Sequence, residues 1–269
     1  MTQLDFASWN LNLTGGRSAT QRKIDFLREQ RWDVVDLQEV TPEAADLFAQ
    51  SGFDAWIYPT GSEKHAVALA ARNGVVLAAP ALMQGIRIPQ RGLWALATVG
   101  SVVVEVGSLH ITNATNGKSK IKREHYIVLV NWLRRPAVAR VLGMDANHAF
   151  DPRWPDLPDA VYAPRTDDDW DHEYAFFSAD NRHGFKDVWF EQLKRDPEAL
   201  AAATANAGSH PSAFSYAKRV QKGRLIHDRM DFIYASGLEV DRVIYDDAGR
   251  GPGLSDHAFV TATLHDRVV

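Results

Sequence analysis

The chain alternates short apolar runs with polar segments far more often than it builds long amphipathic helices. Apolar or alternating runs at 6–11, 34–37, 66–70, 75–78, 94–99, 102–110, 138–143, 230–235 and 258–264 predict β-strands. Helical periodicity is confined to 19–30, 42–50, 121–134 and about 191–206. The second of these helices has a defined start, with Thr41 placed to cap it and Pro42 at its first position. So many short strands suit two packed sheets better than one. No repeat, low-complexity tract or linker divides the chain, so residues 1–269 are expected to form one domain. The segment 151–173, rich in Pro and Asp with "TDDDWD" inside it, reads as a long surface insertion.

Composition narrows the chemistry. With 45% hydrophobic and 24% charged residues the chain can bury a full core and stay in solution. It has no cysteine, which excludes disulfides, thiolate metal sites and a cysteine nucleophile. That fits a reducing cytoplasm, and "MTQLDFASWN" lacks the basic and apolar regions of a signal peptide. No apolar run approaches the roughly 20 residues of a membrane span. The net charge of −4 means that a polyanion would have to be held by local basic patches. A monomer is expected.

Polar residues collect where the predicted strands end or begin. "SWNLN" carries Asn10 and Asn12, "LQEV" carries Glu39, and "LHITN" carries His110 and Asn113. "GMDAN" carries Asp145 and Asn147, "RMDFIYAS" carries Asp231, and "SDHAF" carries Asp256 and His257. Taken singly, each is an ordinary turn or capping residue. Together they lie where sheet proteins gather ligands, in the crevice at strand ends.

In this order, spread from Phe6 to Leu264, these motifs resemble the endonuclease/exonuclease/phosphatase superfamily. That group includes deoxyribonuclease I, exonuclease III, abasic-site endonucleases, inositol polyphosphate phosphatases and sphingomyelinases. The resemblance implies a four-layer α/β/β/α sandwich of two mixed β-sheets with outer helices. It implies Glu39 as an acidic metal ligand, with Asn10 and Asp256 beside it. It gives Asp145 the attacking water to orient or deprotonate, and Asn147 a hydrogen bond near the phosphate. His257 would touch the scissile phosphate, with its ring held by Asp231. His110 would stabilise or protonate the leaving oxygen, and Asn113 would add a phosphate contact. The chain departs from the family pattern at "DFIY", at Met230, and at Gly143-Met144-Asp145, where one residue separates the usual glycine–aspartate pair.

Elementary electrostatics asks for a cation at the same place. Two carboxylates about 4 Å apart repel by about 4 kcal/mol at an effective dielectric of ~20. If Glu39, Asp145 and Asp256 converge, a cation or shared protons must offset that, and hard oxygen ligands favour Mg2+ or Mn2+. Basic residues flank two of the motifs. Lys118, Lys120, Lys122 and Arg123 come after the His110 motif, and Lys218, Arg219, Lys222 and Arg224 come before Asp231. Arg250 precedes Asp256, while Trp154, Trp170, Phe214 and Tyr216 are candidates to stack on bases. The leading reading is a metal-dependent nuclease acting on DNA or RNA. A phosphatase or phosphodiesterase for a small or lipid-linked phosphoester is the alternative, and a non-catalytic binding module is the third.

Overall fold

Alternate residues along the central strands pack on opposite faces, building two sheets that share one apolar layer. The structure, a computed structural model, describes residues 2–12, 16–59, 61, 65–113, 119–135, 139–147, 175–177, 181, 183–205, 215–219, 225–251 and 254–266; at 217–219 and 225–228 it describes the backbone alone. The first sheet holds β1 (Gln3–Asn10), β2 (Val34–Val40), β3 (Ala55–Ile57), β4 (Ala66–Ala71), β13 (Leu238–Asp246) and β14 (Phe259–Asp266), in the order β13-β14-β1-β2-β4-β3. The second holds β5 (Val76–Leu82), β6 (Gly92–Val99), β7 (Val102–His110), β8 (Arg140–Asp145), β9 (Lys186–Asp187) and β12 (Asp231–Ser236), in the order β5-β6-β7-β8-β12-β9. A small hairpin pairs β10 (Tyr216–Arg219) with β11 (Leu225–Asp228).

Each sheet is antiparallel except at one central pair, β1 with β2 and β7 with β8. A parallel pair needs a crossover, supplied by α1 (Gly16–Glu29) in the first sheet and α3 (Ser119–Leu133) in the second. Leu4, Phe6, Val34, Val104, Val106, Val141 and Ile233 fill the space between the sheets. The alternate residues Ala7, Trp9, Val35 and Leu37 pack under α1 and α2 (Pro42–Ala49). On the far side, Leu109, Leu142, Phe232 and Tyr234 pack under Tyr126, Leu129 and Leu133 of α3. The result is the expected four-layer α/β/β/α sandwich.

The inner layer changes character toward one end. Along β1, Leu4 and Phe6 give way to Ser8 and Asn10; along β2, Val34 gives way to Asp36 and Gln38. Along β7, Val104 and Val106 give way to Ser108 and His110. Deepest in this polar seam lies Asp36, whose Oδ2 accepts from Ser108 Oγ at 3.2 Å and also contacts the Gln38 amide. Burial pushes its carboxyl well above the usual range. Gly143 faces it across the sheets, and a Cβ there would collide with the Asp36 carboxyl.

Several boundaries differ from the sequence expectation for identifiable reasons. The helix expected over 191–206 is two, α4 (Val188–Arg195) and α5 (Pro197–Ala205). Pro197 cannot continue a helix, and Asp196 is extended with its side chain accepting from Glu198 N and Ala199 N. The long strand β13 was not expected, because a register shift between Val240 and Arg242 resets its alternation midway. The segment 151–173 lies outside the described residues. Among the described residues no helix is long and apolar enough to cross a membrane.

Candidate active site

The polar ends of β1, β2, β7 and β8 meet at one rim, and the backbone there is held in uncommon conformations. Asn12, Glu39 and Asn147 have positive φ values of 40°, 57° and 47°. Two of them close similar turns. Asn12 N donates to Asn10 Oδ1 at 2.9 Å, and Asn147 N donates to Asp145 Oδ1 at 2.7 Å. Asparagine tolerates this left-handed region better than most residues, which explains its use twice. A buried lysine supports each turn: Lys23 Nζ donates to the Asn12 carbonyl at 3.1 Å, and Lys122 Nζ to that of Asn147 at 3.1 Å.

Glu39 needs a different device. Strict alternation along β2 puts Asp36 and Gln38 on the inner face and Glu39 on the outer one. The pairing of β2 with β4 slips between Leu37 and Val40, and the bulge with its positive φ carries the Glu39 carboxylate toward the rim. There its Oε1 lies 3.7 Å from His110 Nε2, and its Oε2 lies 3.4 Å from His65 Nδ1. Burial alone would raise its pKa, but His65, His110 and His257 hold it down at about 2.

Asp145 sits at the centre. Asn10 Nδ2 donates to its Oδ2 at 2.7 Å from the opposite sheet, and Asn147 Nδ2 at 3.3 Å. His110 Nε2 stands 3.6 Å away. Burial pushes the Asp145 carboxyl up to about 7 despite these donors. Glu39, His110 and Asp145 offer ligand atoms that converge tightly enough for one metal ion. Asp145 also belongs to a second such group with Asp231 and His257. An ionised Glu39 beside a buried, hydrogen-bonded Asp145 and a neutral imidazole is a donor set that fits a divalent cation.

His257 is locked from below. Its Nδ1 lies 2.7 Å from Asp231 Oδ2. Burial would lower the imidazole, but the Asp231 charge and hydrogen bond, with Asp145 and Asp256, raise it to about 10. Asp231 is itself fixed: Ser215 Oγ accepts from both Met230 N and Asp231 N at 2.9 Å. His110 is the opposite case, lowered to about 3 by burial and by Arg91, and therefore neutral at ordinary pH. As a neutral ring it can donate a hydrogen bond or ligate.

The remaining expected site residues spread outward. Asp256 is 40% exposed by side chain, accepts from Asn12 Nδ2 at 2.8 Å, and lies 3.8 Å from His257 Nε2. Lys122 is not a surface lysine, since it is buried against the Asn147 turn. Arg250 pairs with Asp247. Asn113 and Lys120 are exposed. Lys118 and the Arg219 side chain lie outside what is described. Tyr216 packs against His257, ring centroids 4.9 Å apart, as a wall of the site. Sequence reasoning passed over His65, Lys23, Arg91 and Ser215. Lys23 falls on the buried stripe of α1 with Ile24 and Leu27, a place where a lysine is itself a signal. His65 stands in a loop before β4 and Arg91 ends a short 3-10 helix before β6, and nothing local marks them.

No family model and no curated protein matches the chain. Solved structures do. Danio rerio TDP2 complexed with a single-strand DNA product is 17% identical, with a TM-score of 0.68 over 98% of this chain and 100% of that one. An AP endonuclease from Archaeoglobus fulgidus is 18% identical, with a TM-score of 0.63 over 96% of this chain and 98% of that one. The 3′ phosphatase NExo from Neisseria, bound to a product DNA hairpin, is 20% identical, with a TM-score of 0.62 over 96% and 98%. The chain shares the fold of these structures. The likeness spans both sheets, including all the strands that carry the rim.

Proposed function

We propose that this crevice hydrolyses phosphodiester bonds of nucleic acid with the help of Mg2+ or Mn2+. The observation that carries the reading is the pairing, across Asp145, of a cation-ready acidic cluster with a histidine held by Asp231 at 2.7 Å. Glu39 and Asp145 would hold the divalent cation, with Asn10 steadying Asp145 from the other sheet. Once bound, such a cation polarises a phosphoryl oxygen and offsets charge in the transition state.

The chain's own groups do the rest. His257, charged and oriented by Asp231, presents Nε2–H to a phosphate oxygen, where it stabilises growing negative charge. Asp145 accepts a proton from the attacking water. Asn147 and Asn10 keep its carboxylate aimed, and the Lys23 and Lys122 braces keep their turns in place. His110 holds the neutral side of the pocket.

The neighbours named for DNA products and for an AP endonuclease support nucleic acid as substrate. The test is cleavage of single- and double-stranded DNA and RNA oligonucleotides beside a panel of small and lipid-linked phosphoesters, each with Mg2+, Mn2+ or chelator. Oligonucleotide turnover that needs the cation is expected, with binding that weakens steeply with salt. Turnover confined to small phosphoesters, with salt-insensitive binding, would replace nucleic acid as the substrate.

A further inference from the structure

We propose that Asp36 is a positioning residue: its carboxyl pins the strand that carries Glu39 to the strands that carry His110 and Asp145, and so fixes how the cation-facing groups stand to one another. This rests on the reading that Glu39 and Asp145 hold a cation, and extends it to what keeps them in place. Asp36 takes no part in the chemistry above, yet it is a fully buried acid in the layer directly beneath the rim.

The strand registers define that layer. In the first sheet Asp36 stands opposite Ser8, and the next pair on the same face towards the rim is Gln38 opposite Asn10. In the second sheet Ser108 stands opposite Gly143, and the next same-face pair is His110 opposite Asp145. The Ser108 hydroxyl on β7 reaches two groups of β2, Asp36 Oδ2 at 3.2 Å and the Leu37 carbonyl at 3.3 Å. On the rim side the Gln38 amide contacts Asp36 and stands 3.3 Å from Ser8 Oγ.

Against β8 the contact is steric. Asp36 Oδ1 fills the space where a side chain at residue 143 would begin, so the carboxyl seats in a notch that glycine alone leaves open. One side chain of β2 therefore bears on both β7 and β8, a single step below His110 and Asp145. An acid is a costly group to bury, and an apolar residue would fill the layer more cheaply. What the carboxyl adds is direction, since a hydrogen-bonded group fixes one arrangement where apolar packing tolerates several.

The test is calorimetric Mn2+ affinity of the full chain, with oligonucleotide kinetics and melting temperature in chelator, for wild type, Asp36→Val, Asp36→Asn and Ser108→Ala. Asp36→Val leaves Gln38 and Ser108 their other partners, so the melting temperature should hold or rise. Its Mn2+ affinity should still fall at least about tenfold, the scale on which groups behind metal ligands act, and kcat should fall with little change in KM. Asp36→Asn keeps the shape and an acceptor, and should stay close to the wild type. Ser108→Ala cuts the same link from the other sheet, should lose affinity likewise, and decides the matter if Asp36→Val fails to fold. Wild-type Mn2+ affinity in a folded Asp36→Val, or in Ser108→Ala, would overturn the proposal while leaving the cation site standing. So would an equal loss in Asp36→Asn, because charge and not the contact would then be at work. A wild-type protein that binds neither Mn2+ nor Mg2+ would overturn the cation reading and the proposal with it.

Discussion

His110 and His257 enter the same rim from different sheets, and their protonation is opposite. Both are buried, at 3% and 6% relative exposure. One is lowered to about 3 and the other raised to about 10. Burial pushes both downward, so it cannot separate them. The main difference is a carboxylate at hydrogen-bond range: Asp231 lies 2.7 Å from His257 Nδ1, whereas His110 Nδ1 has no hydrogen-bond partner among the described residues and Nε2 meets acids only beyond 3.5 Å. The short contact to Asp231 thus favours charge on one imidazole, while Arg91 helps to keep the other neutral.

The largest way to break this contrast is to remove the charged ring. His257→Ala should lower the cleavage rate by at least ~10²-fold with saturating substrate, the low end for a positioned acid–base group. Turnover close to wild type would remove His257 from the chemistry. Removing only its orienter should cost less: Asp231→Asn is expected to lose roughly tenfold or more in rate while the His257 ring titrates near neutral pH by NMR. A ring still charged at pH 9 in that variant would mean that Asp145 and Asp256 suffice, and the contrast with His110 would need another cause.

The smallest effect lies in stability. The pKa of His257 is raised when folded, so its contribution is complete below the unfolded value of about 6.5 and fades as pH rises through about 10. That of His110 is depressed when folded, so its contribution is present above about 6.5 and is lost as pH falls toward about 3. In chelator, a His257→Gln variant should therefore show a flatter alkaline limb in its melting temperature, and His110→Gln a flatter acid limb. Identical limbs in both variants would show that neither histidine is perturbed as described.

Much of this arrangement can be read from the residues alone. Period-two runs locate the central strands, and the order of the polar motifs at their ends points to the fold and to Asn10, Glu39, Asp145 and His257 at one rim. What escapes has physical causes. The β13 bulge hides a strand by shifting its phase. Pro197 splits one expected helix. Lys122 sits in a run of basic residues that looks like a solvated face, and only the fold shows its ammonium turned inward to Asn147. His65 belongs to no periodic pattern, and its neighbourhood with Glu39 arises from pairing across the bulge.

The claim that joins these elements is cation-dependent phosphodiester hydrolysis centred on Asp145. Its most direct test is the rate of oligonucleotide cleavage by wild type and Asp145→Asn, each with Mn2+ or Mg2+ and again after EDTA. The wild type should cleave only with the cation, and Asp145→Asn should lose at least ~10²-fold under every condition. Undiminished cleavage in EDTA, or wild-type rates from Asp145→Asn, would contradict it.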